Sequence, residues 1–206
     1  MRIVTITAPA EEPLTLAGLR LFLKVDDDNA ADDTLITALI AGARSWCETF
    51  TRRALVTQTL ELVLDGFPPC AIANPRRQIV LPRGRATAVD WISYVDADGV
   101  TQTLTGPTSS PAGTGYQEDL SDDYGAVLVP AYGSDWPSTR DVMGAVKVRY
   151  KAGYGDASTA VPAQLLDAMR YHVATMYEGR GEQDTKAWTG VAEALARPYQ
   201  IGWFGS

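Results

Sequence analysis

The sequence is poor in the residues that most site chemistry needs. It holds one histidine and two cysteines in 206 residues. Cys47 and Cys70 are too few for a disulfide framework, and so sparse a use of cysteine fits an intracellular origin. Together with His172 they give no zinc spacing. His172 lies beside an apolar helical stripe with no motif around it, so it reads as a helix-edge residue rather than a base or a metal ligand. Cys47 falls inside such a stripe, where a buried thiol is inert. No serine stands in a Gly-x-Ser-x-Gly frame. Positive charge is also scarce: Lys and Arg number 18 against 25 Asp and Glu, for a net charge of −7 and a pI near 4.7. That balance argues against binding of nucleic acid by wholesale phosphate neutralisation, which needs a basic face, though not against a wall past which DNA slides without sticking. No apolar run approaches the roughly 20 residues of a membrane helix. Met1-Arg2-Ile3-Val4-Thr5-Ile6 lacks the long apolar stretch of a secretory signal.

Several partial motifs fail on inspection. Five aspartates crowd residues 26–33. A calcium loop starting at Asp26 would place Ala30, Ala31 and Thr37 where ligands and the turn glycine belong, so the stretch reads as a solvated link and helix cap. The pairs Gly113/Gly115, Gly153/Gly155 and Gly179/Gly181 are not followed by Lys-Ser or Lys-Thr, which excludes a phosphate loop. Ser158 stands where a dinucleotide fingerprint needs its third glycine. A carboxylate pair for glycoside hydrolysis would have to be drawn from Asp90, Asp96, Glu118 and Asp119, which carry no distinguishing pattern. The sequence therefore points away from an enzyme, and it marks no cofactor.

What is present is a core. Hydrophobic residues make up 46% and charged residues 21%, near globular averages and enough for one large domain or two small ones. Leu14 to Leu23 reads as a short helix. Asp33 to Phe50 is the clearest one: Leu35, Ile36, Leu39, Ile40, Ala43, Trp46, Cys47 and Phe50 recur at helical spacing. Asp32 and Asp33 stand where a cap and the helix dipole favour negative charge. After Thr51-Arg52-Arg53 the period changes to two. Leu60, Leu62 and Leu64 predict a strand, as do Gln78 to Leu81, Val89 to Val95, Ala126 to Pro130 and Ala145 to Lys151. Asp96-Ala97-Asp98-Gly99 is a turn from which Val100 to Leu104 pairs back as a hairpin. Residues 105–123 read as a long polar loop with one short strand near Tyr116. Pro162 opens a second long helix with a stripe of Leu165, Leu166, Met169, Val173, Met176 and Tyr177. A last short helix spans Gly190 to Ala196. The expected fold is α+β: residues 1–54 and 156–206 form a helical bundle from both ends of the chain, and residues 55–155 form an inserted β-rich subdomain.

The tail is unusual. Tyr199, Ile201, Trp203 and Phe204 crowd the last eight residues, where chains are ordinarily polar and loose. Such groups either fold back onto the chain's own core or dock on another subunit, where Trp and Tyr are common anchors.

The order of these segments resembles the phage head–tail connector family, the adaptor or head-completion proteins of long-tailed phages and gene transfer agents. The matching stretches run from Leu16 to Val25 and the helix through Ile40, to Phe50-Thr51-Arg52-Arg53-Ala54-Leu55-Val56-Thr57-Gln58-Thr59 at the helix exit. Leu64-Asp65-Gly66-Phe67-Pro68, Ile79-Val80-Leu81-Pro82-Arg83 and Tyr94-Val95-Asp96-Ala97-Asp98-Gly99 follow. Val148-Arg149-Tyr150-Lys151-Ala152-Gly153-Tyr154-Gly155, Val161-Pro162, Met176-Tyr177-Glu178-Gly179-Arg180 and Val191 to Tyr199 complete the series, so that the resemblance covers residues 14–199. It implies a structural neck protein without catalysis or cofactor: a homo-oligomeric, typically dodecameric ring that binds the portal protein in the particle neck after assembly in the bacterial cytoplasm. The ring would extend the DNA channel, pass DNA without sequence-specific binding, and offer a platform to the next stopper or tail protein. Heterologous ring contacts need two different sticky faces on each subunit, and an acidic chain suits a channel that must not hold DNA by counterion release. On this reading Tyr199, Ile201, Trp203 and Phe204 dock on the portal or a neighbouring subunit. The 105–123 loop, with Thr105, Tyr116, Asp119 and Asp123, is then a candidate contact for the downstream partner. The alternatives are another neck ring protein, such as a stopper or tail-ring component, and a β-rich carbohydrate- or receptor-binding module stacking ligands on Trp91, Tyr94, Tyr116 and Trp136.

Overall fold

In a computed structural model of the chain, the described residues are 1–26, 30–70, 74, 76–107, 115–179 and 186–202. In chain order the first elements are β1 (Arg2–Thr7), α1 (Leu16–Leu23), α2 (Asp33–Thr51), β2 (Gln58–Leu64), β3 (Ile79–Val80), β4 (Ala86–Val95) and β5 (Thr101–Thr103). They continue with β6 (Thr105–Pro107), β7 (Gly115–Asp119), β8 (Val127–Pro130), β9 (Val146–Ala152), α3 (Ala163–Glu178) and α4 (Lys186–Ala196). The chain divides into a β unit, residues 1–8 and 58–153, and a helical unit, residues 9–57 and 154–206. The architecture is α+β.

The β unit carries two sheets. One is antiparallel with strand order β1-β2-β9-β4-β5; the other has the order β3-β8-β7-β6, with β6 and β7 parallel. β2 and β9 are central strands and read accordingly. Leu60, Leu62, Val146, Val148 and Tyr150 are buried, and Leu60 lies opposite Tyr150 and Leu62 opposite Val148. The Tyr150 hydroxyl donates to the Pro82 carbonyl at 2.8 Å, which satisfies a polar group that burial would otherwise penalise. The hairpin turn forms as expected. Asp96 Oδ1 accepts from the backbone N–H of Asp98 and Val100 at 3.1 and 2.9 Å, and Gly99 supplies a φ of 87° that other residues adopt only at a cost.

One boundary differs from the sequence reading. The sequence places residues 1–8 with the helices, but Arg2 to Thr7 pair with β2, Ile3 opposite Leu62 and Thr5 opposite Leu60. Ile3 to Thr7 is an unbroken β-branched run that suits a strand, but its partner lies more than fifty residues away, so the run alone does not say which unit it joins.

The helical unit packs α2 against α3 and α3 against α4. Its core joins Ile36, Ile40, Ala43 and Cys47 of α2 to Leu165, Met169 and Val173 of α3, with Leu19 of α1 and Ala196 of α4. Thr15 caps α1 through its hydroxyl, which accepts from Gly18 N–H at 3.2 Å. Asp32 precedes α2 but makes no capping bond; its carboxylate instead accepts from the Tyr177 hydroxyl at 2.6 Å. Asp33 pairs with Arg20 at 2.8 Å. The acidic start of α2 thus ties α1 and α3 to it. Met176 departs from the expected stripe and stands 45% exposed, while Pro162 sits at the cap of α3 rather than inside its first turn. α4 begins four residues before the expected Gly190.

Candidate functional site

The end of α2 receives the chain's tail. Arg52 closes the helix in the left-handed region with φ 59°, which turns the chain and presents Thr51, Arg52 and Arg53 to residues 199–201. Arg53 is buried, and its Nε donates to the Tyr199 carbonyl at 2.6 Å. Arg52 Nη1 donates to the Ile201 carbonyl at 3.3 Å. The Ile201 N–H donates to the Thr51 carbonyl at 3.0 Å, one of the carbonyls a helix end leaves open. Ile201 is only 4% exposed, and Tyr199 packs half-buried against the helical core. Within the chain, then, Tyr199 and Ile201 fold back on their own unit, the first of the two fates open to an apolar tail. Trp203 and Phe204 lie outside the described residues. In the sequence, Arg52 and Arg53 mark only the point where the period changes. The available signal was a basic pair at a helix C-terminus, where cations meet the unsatisfied carbonyls.

The 105–123 region is more structured than a loop. Thr105 opens β6, and Tyr116 and Asp119 belong to β7. Tyr116 is 1% exposed, and burial, with smaller contributions from Glu118 and Asp90, pushes its hydroxyl up to about 12. It is a core residue, which corrects its placement both as a contact residue and as a stacking platform. Asp119 and Asp123 do reach the surface. Asp119 Oδ1 accepts from Ser121 N–H and Oγ at 3.0 and 2.6 Å, and Asp123 lies 3.7 Å from Arg85 across an exposed pair. Residues 108–114 lie outside the described residues.

The other aromatics are engaged internally. Arg149 stands over the Trp91 ring at 4.7 Å. Trp136 stacks on Phe67 with centroids 4.7 Å apart and donates from Nε1 to the Arg77 carbonyl at 2.7 Å. Tyr94 meets Phe67 edge-on. Beside this stack lies an open cleft of about 390 Å³, lined by Phe67, Pro68, Cys70, Arg77 and Trp136. Of Asp90, Asp96, Glu118 and Asp119, the carboxylates from which a hydrolytic pair would be drawn, Asp96 and Asp119 hold turns. Glu118 is partly buried, and burial raises its carboxyl above the usual range. Among the described residues, no three His, Cys, Asp or Glu side chains are grouped to hold a metal ion, and no helix is long and apolar enough to cross a membrane.

His172 packs face to face on Trp46, centroids 4.2 Å apart, and Trp46 in turn stacks on Phe50. Burial lowers its pKa below the ordinary 6.5, so the unfolded chain takes up this proton before the folded one does. Stability must then fall as pH drops through about 6.5, because protonation favours the unfolded state there. Replacing His172 with Phe keeps a stacked ring and removes the proton. Urea midpoints at pH 7.5 and 5.5 should fall further for the native chain than for the H172F variant.

No protein-family model matches the chain, and no curated protein does. Solved structures do. A chain in the neck of an empty gene transfer agent (GTA) particle, computed with C6 symmetry, matches with a TM-score of 0.77 and 21% identity, over 100% of this chain and 98% of that one. A chain in the virion of a native GTA particle matches at 0.77 and 22% identity with the same coverage. A third, in the neck of a native particle computed with C12 symmetry, matches at 0.70 and 22% over the same spans. From first element to last, both units included, the chain has the fold of a chain found in gene transfer agent necks.

Proposed function

We propose that the chain is a structural neck protein of a phage-like particle, a head–tail adaptor whose ring binds the portal, extends the DNA channel and carries the next neck or tail protein. The observation that carries this reading is the whole-length likeness to a neck chain, 100% of one and 98% of the other at a TM-score of 0.77. The sequence resemblance to head–tail connectors, drawn from separate stretches along residues 14–199, agrees with it. So does the acidic charge of −7, which suits a channel that DNA must traverse without counterion-release binding. Dodecameric stoichiometry, location in the particle neck and assembly in the bacterial cytoplasm belong to the same proposal.

The portal contact falls to the end of the tail. Ile201 is committed to the chain's own core, so Trp203 and Phe204 are the aromatic groups left to anchor a partner, with the half-buried Tyr199 beside them. Asp119 and Asp123 remain surface groups for the downstream partner. The test is electron microscopy of the chain mixed with its cognate portal ring. Added ring density at one end of the portal supports the adaptor role; bare portals beside free chain would overturn it. A chain ending at Gly202 should keep its unfolding midpoint, since it retains Ile201, and lose at least tenfold in portal affinity. Unchanged affinity would remove the tail from the interface.

A further inference from the structure

We propose that the basic face of the five-stranded sheet receives the acidic turn around Asp122 of the next copy of this chain. The inference rests on the ring reading above and supplies the contact between copies.

The strand registers lay out that face in three rows. Arg2, Val63, Lys147, Ser93 and Thr103 form the first; Val4, Glu61, Arg149 and Trp91 the second; Thr7, Thr59, Lys151 and Ala88 the third. Residues opposite one another in a ladder project from one side, and alternate positions along a strand return to it. Four of the five ionisable side chains in these rows are cations, in a chain whose net charge is −7. The one carboxylate, Glu61, is taken by Arg149 at 2.7 Å, and Arg149 also lies over the Trp91 ring. Arg2, Lys147 and Lys151 are exposed, and among the described residues none of the three forms an ion pair. They surround Val4, 37% exposed, and the half-buried Trp91.

The complementary surface lies on the other side of the same unit. The alternate residues Leu62, Val148 and Tyr150 are buried, and Tyr150 reaches the Pro82 carbonyl. Leu81 N–H in turn donates to the Ala126 carbonyl at 2.8 Å. The connection from β7 to β8, which ends at Ala126, therefore stands behind the sheet, away from the basic rows. It carries Asp119, Asp122 and Asp123, all exposed, with Leu120 half-buried and Tyr124 52% exposed. Asp122 Oδ1 accepts from Tyr124 N–H at 2.8 Å, and Asp119 Oδ1 from Ser121 N–H. The turn is thus shaped before it meets a partner, which lowers the ordering cost of binding.

Charge and polarity select a second copy as the occupant. Three exposed cations around Val4 and Trp91 meet three carboxylates around Leu120 and Tyr124. A phosphate backbone would match the cations and leave the apolar groups without a partner. Two basic faces repel each other, which opposes a two-fold dimer through this face. A basic face on one side and an acidic turn on the other are the two different surfaces that a closed heterologous ring requires. Asp122 and Tyr124 make the contact; Asp119 and Asp123, at its flanks, stay with the downstream partner.

The test uses particles that carry the chain as their neck component. Lys147 and Lys151 are two of its four lysines, so a zero-length carbodiimide, which joins an amine to a carboxylate, reads the contact in the native chain. The expected result is a ladder of oligomers beyond the dimer, with linked peptides joining Lys147 or Lys151 to the 119–123 segment. Incorporated chain without such a link overturns the inference and leaves the neck reading standing. Absence of the native chain from the particles overturns the neck reading, and this inference with it. As a second measurement, Lys147→Glu with Lys151→Glu should keep the thermal midpoint of the free chain and lower its copy number per particle about tenfold or more, because like charges then face each other. Adding Asp122→Lys should restore part of the loss, and no recovery would overturn the pairing of these two surfaces. A native copy number in particles that have lost their DNA would assign the face to DNA and overturn the inference.

Discussion

Ile201→Ala should destabilise the helical unit by about 3 kcal/mol, within the range for truncating a buried aliphatic side chain. Ile201 sits at 4% exposure, and its backbone is held at both ends, by the Thr51 carbonyl and by Arg52. A chain ending at Arg197 should lose more. It also removes Tyr199 and with it the carbonyl that the buried Arg53 Nε meets at 2.6 Å, and the loss of a hydrogen-bond acceptor from a buried guanidinium is costly. Chemical unfolding followed through the helical circular dichroism signal measures both. A chain ending at Gly202 is the control, since it leaves every one of these contacts in place. Native-like stability of the chain ending at Arg197 would show that the tail's fold-back contributes nothing.

The second large effect is expected at Glu48. This carboxylate is buried in α2. Its Oε1 accepts from the fully buried Leu55 N–H at 3.0 Å, and its Oε2 faces Arg44 at 3.4 Å, which in turn holds Glu12 at 2.8 Å. One side chain therefore joins the body of α2 to the segment that leaves it and to the segment before α1. Glu48→Ala should cost roughly 3 kcal/mol, because the buried Leu55 N–H loses the carboxylate it donates to and Arg44 loses one of two carboxylates. Glu48→Gln should cost about 1 kcal/mol, since an amide oxygen still accepts from Leu55. Equal losses in the two variants would show that the charge, and not the backbone bond, carries the effect. The comparison requires only equilibrium unfolding midpoints and slopes.

Local pattern made the long elements legible. The helical stripe of α2 and the alternation of β2 and β9 are set by residues within a few positions of one another, so periodicity finds them directly. The 96–99 turn is likewise local, because the side chain of Asp96 and the positive φ of Gly99 act within five residues. β1 and β6 were not legible. β6 has three residues, and the place of each is set by the strand that supplies its hydrogen bonds, β2 for β1 and β7 for β6. Tyr116 shows the same limit for a site residue. In sequence it is one aromatic in a polar stretch, and only its pairing opposite Pro130 reveals that the strand is covered and the ring buried.

By itself the sequence determined the class of the molecule: an acidic α+β chain with long helices on both sides of a β-rich middle, and an aromatic tail. Each of those properties is a matter of composition or of spacing along the chain. The tertiary structure alone decided where the tail goes and which edges stay open. Arg53 and Tyr199 lie 146 positions apart, and no short-range rule connects a basic pair at a helix exit with an isoleucine near the end of the chain. The openness of β1 and β5 is likewise a property of strand order, which hydrogen bonding between remote segments sets and which no window of sequence contains.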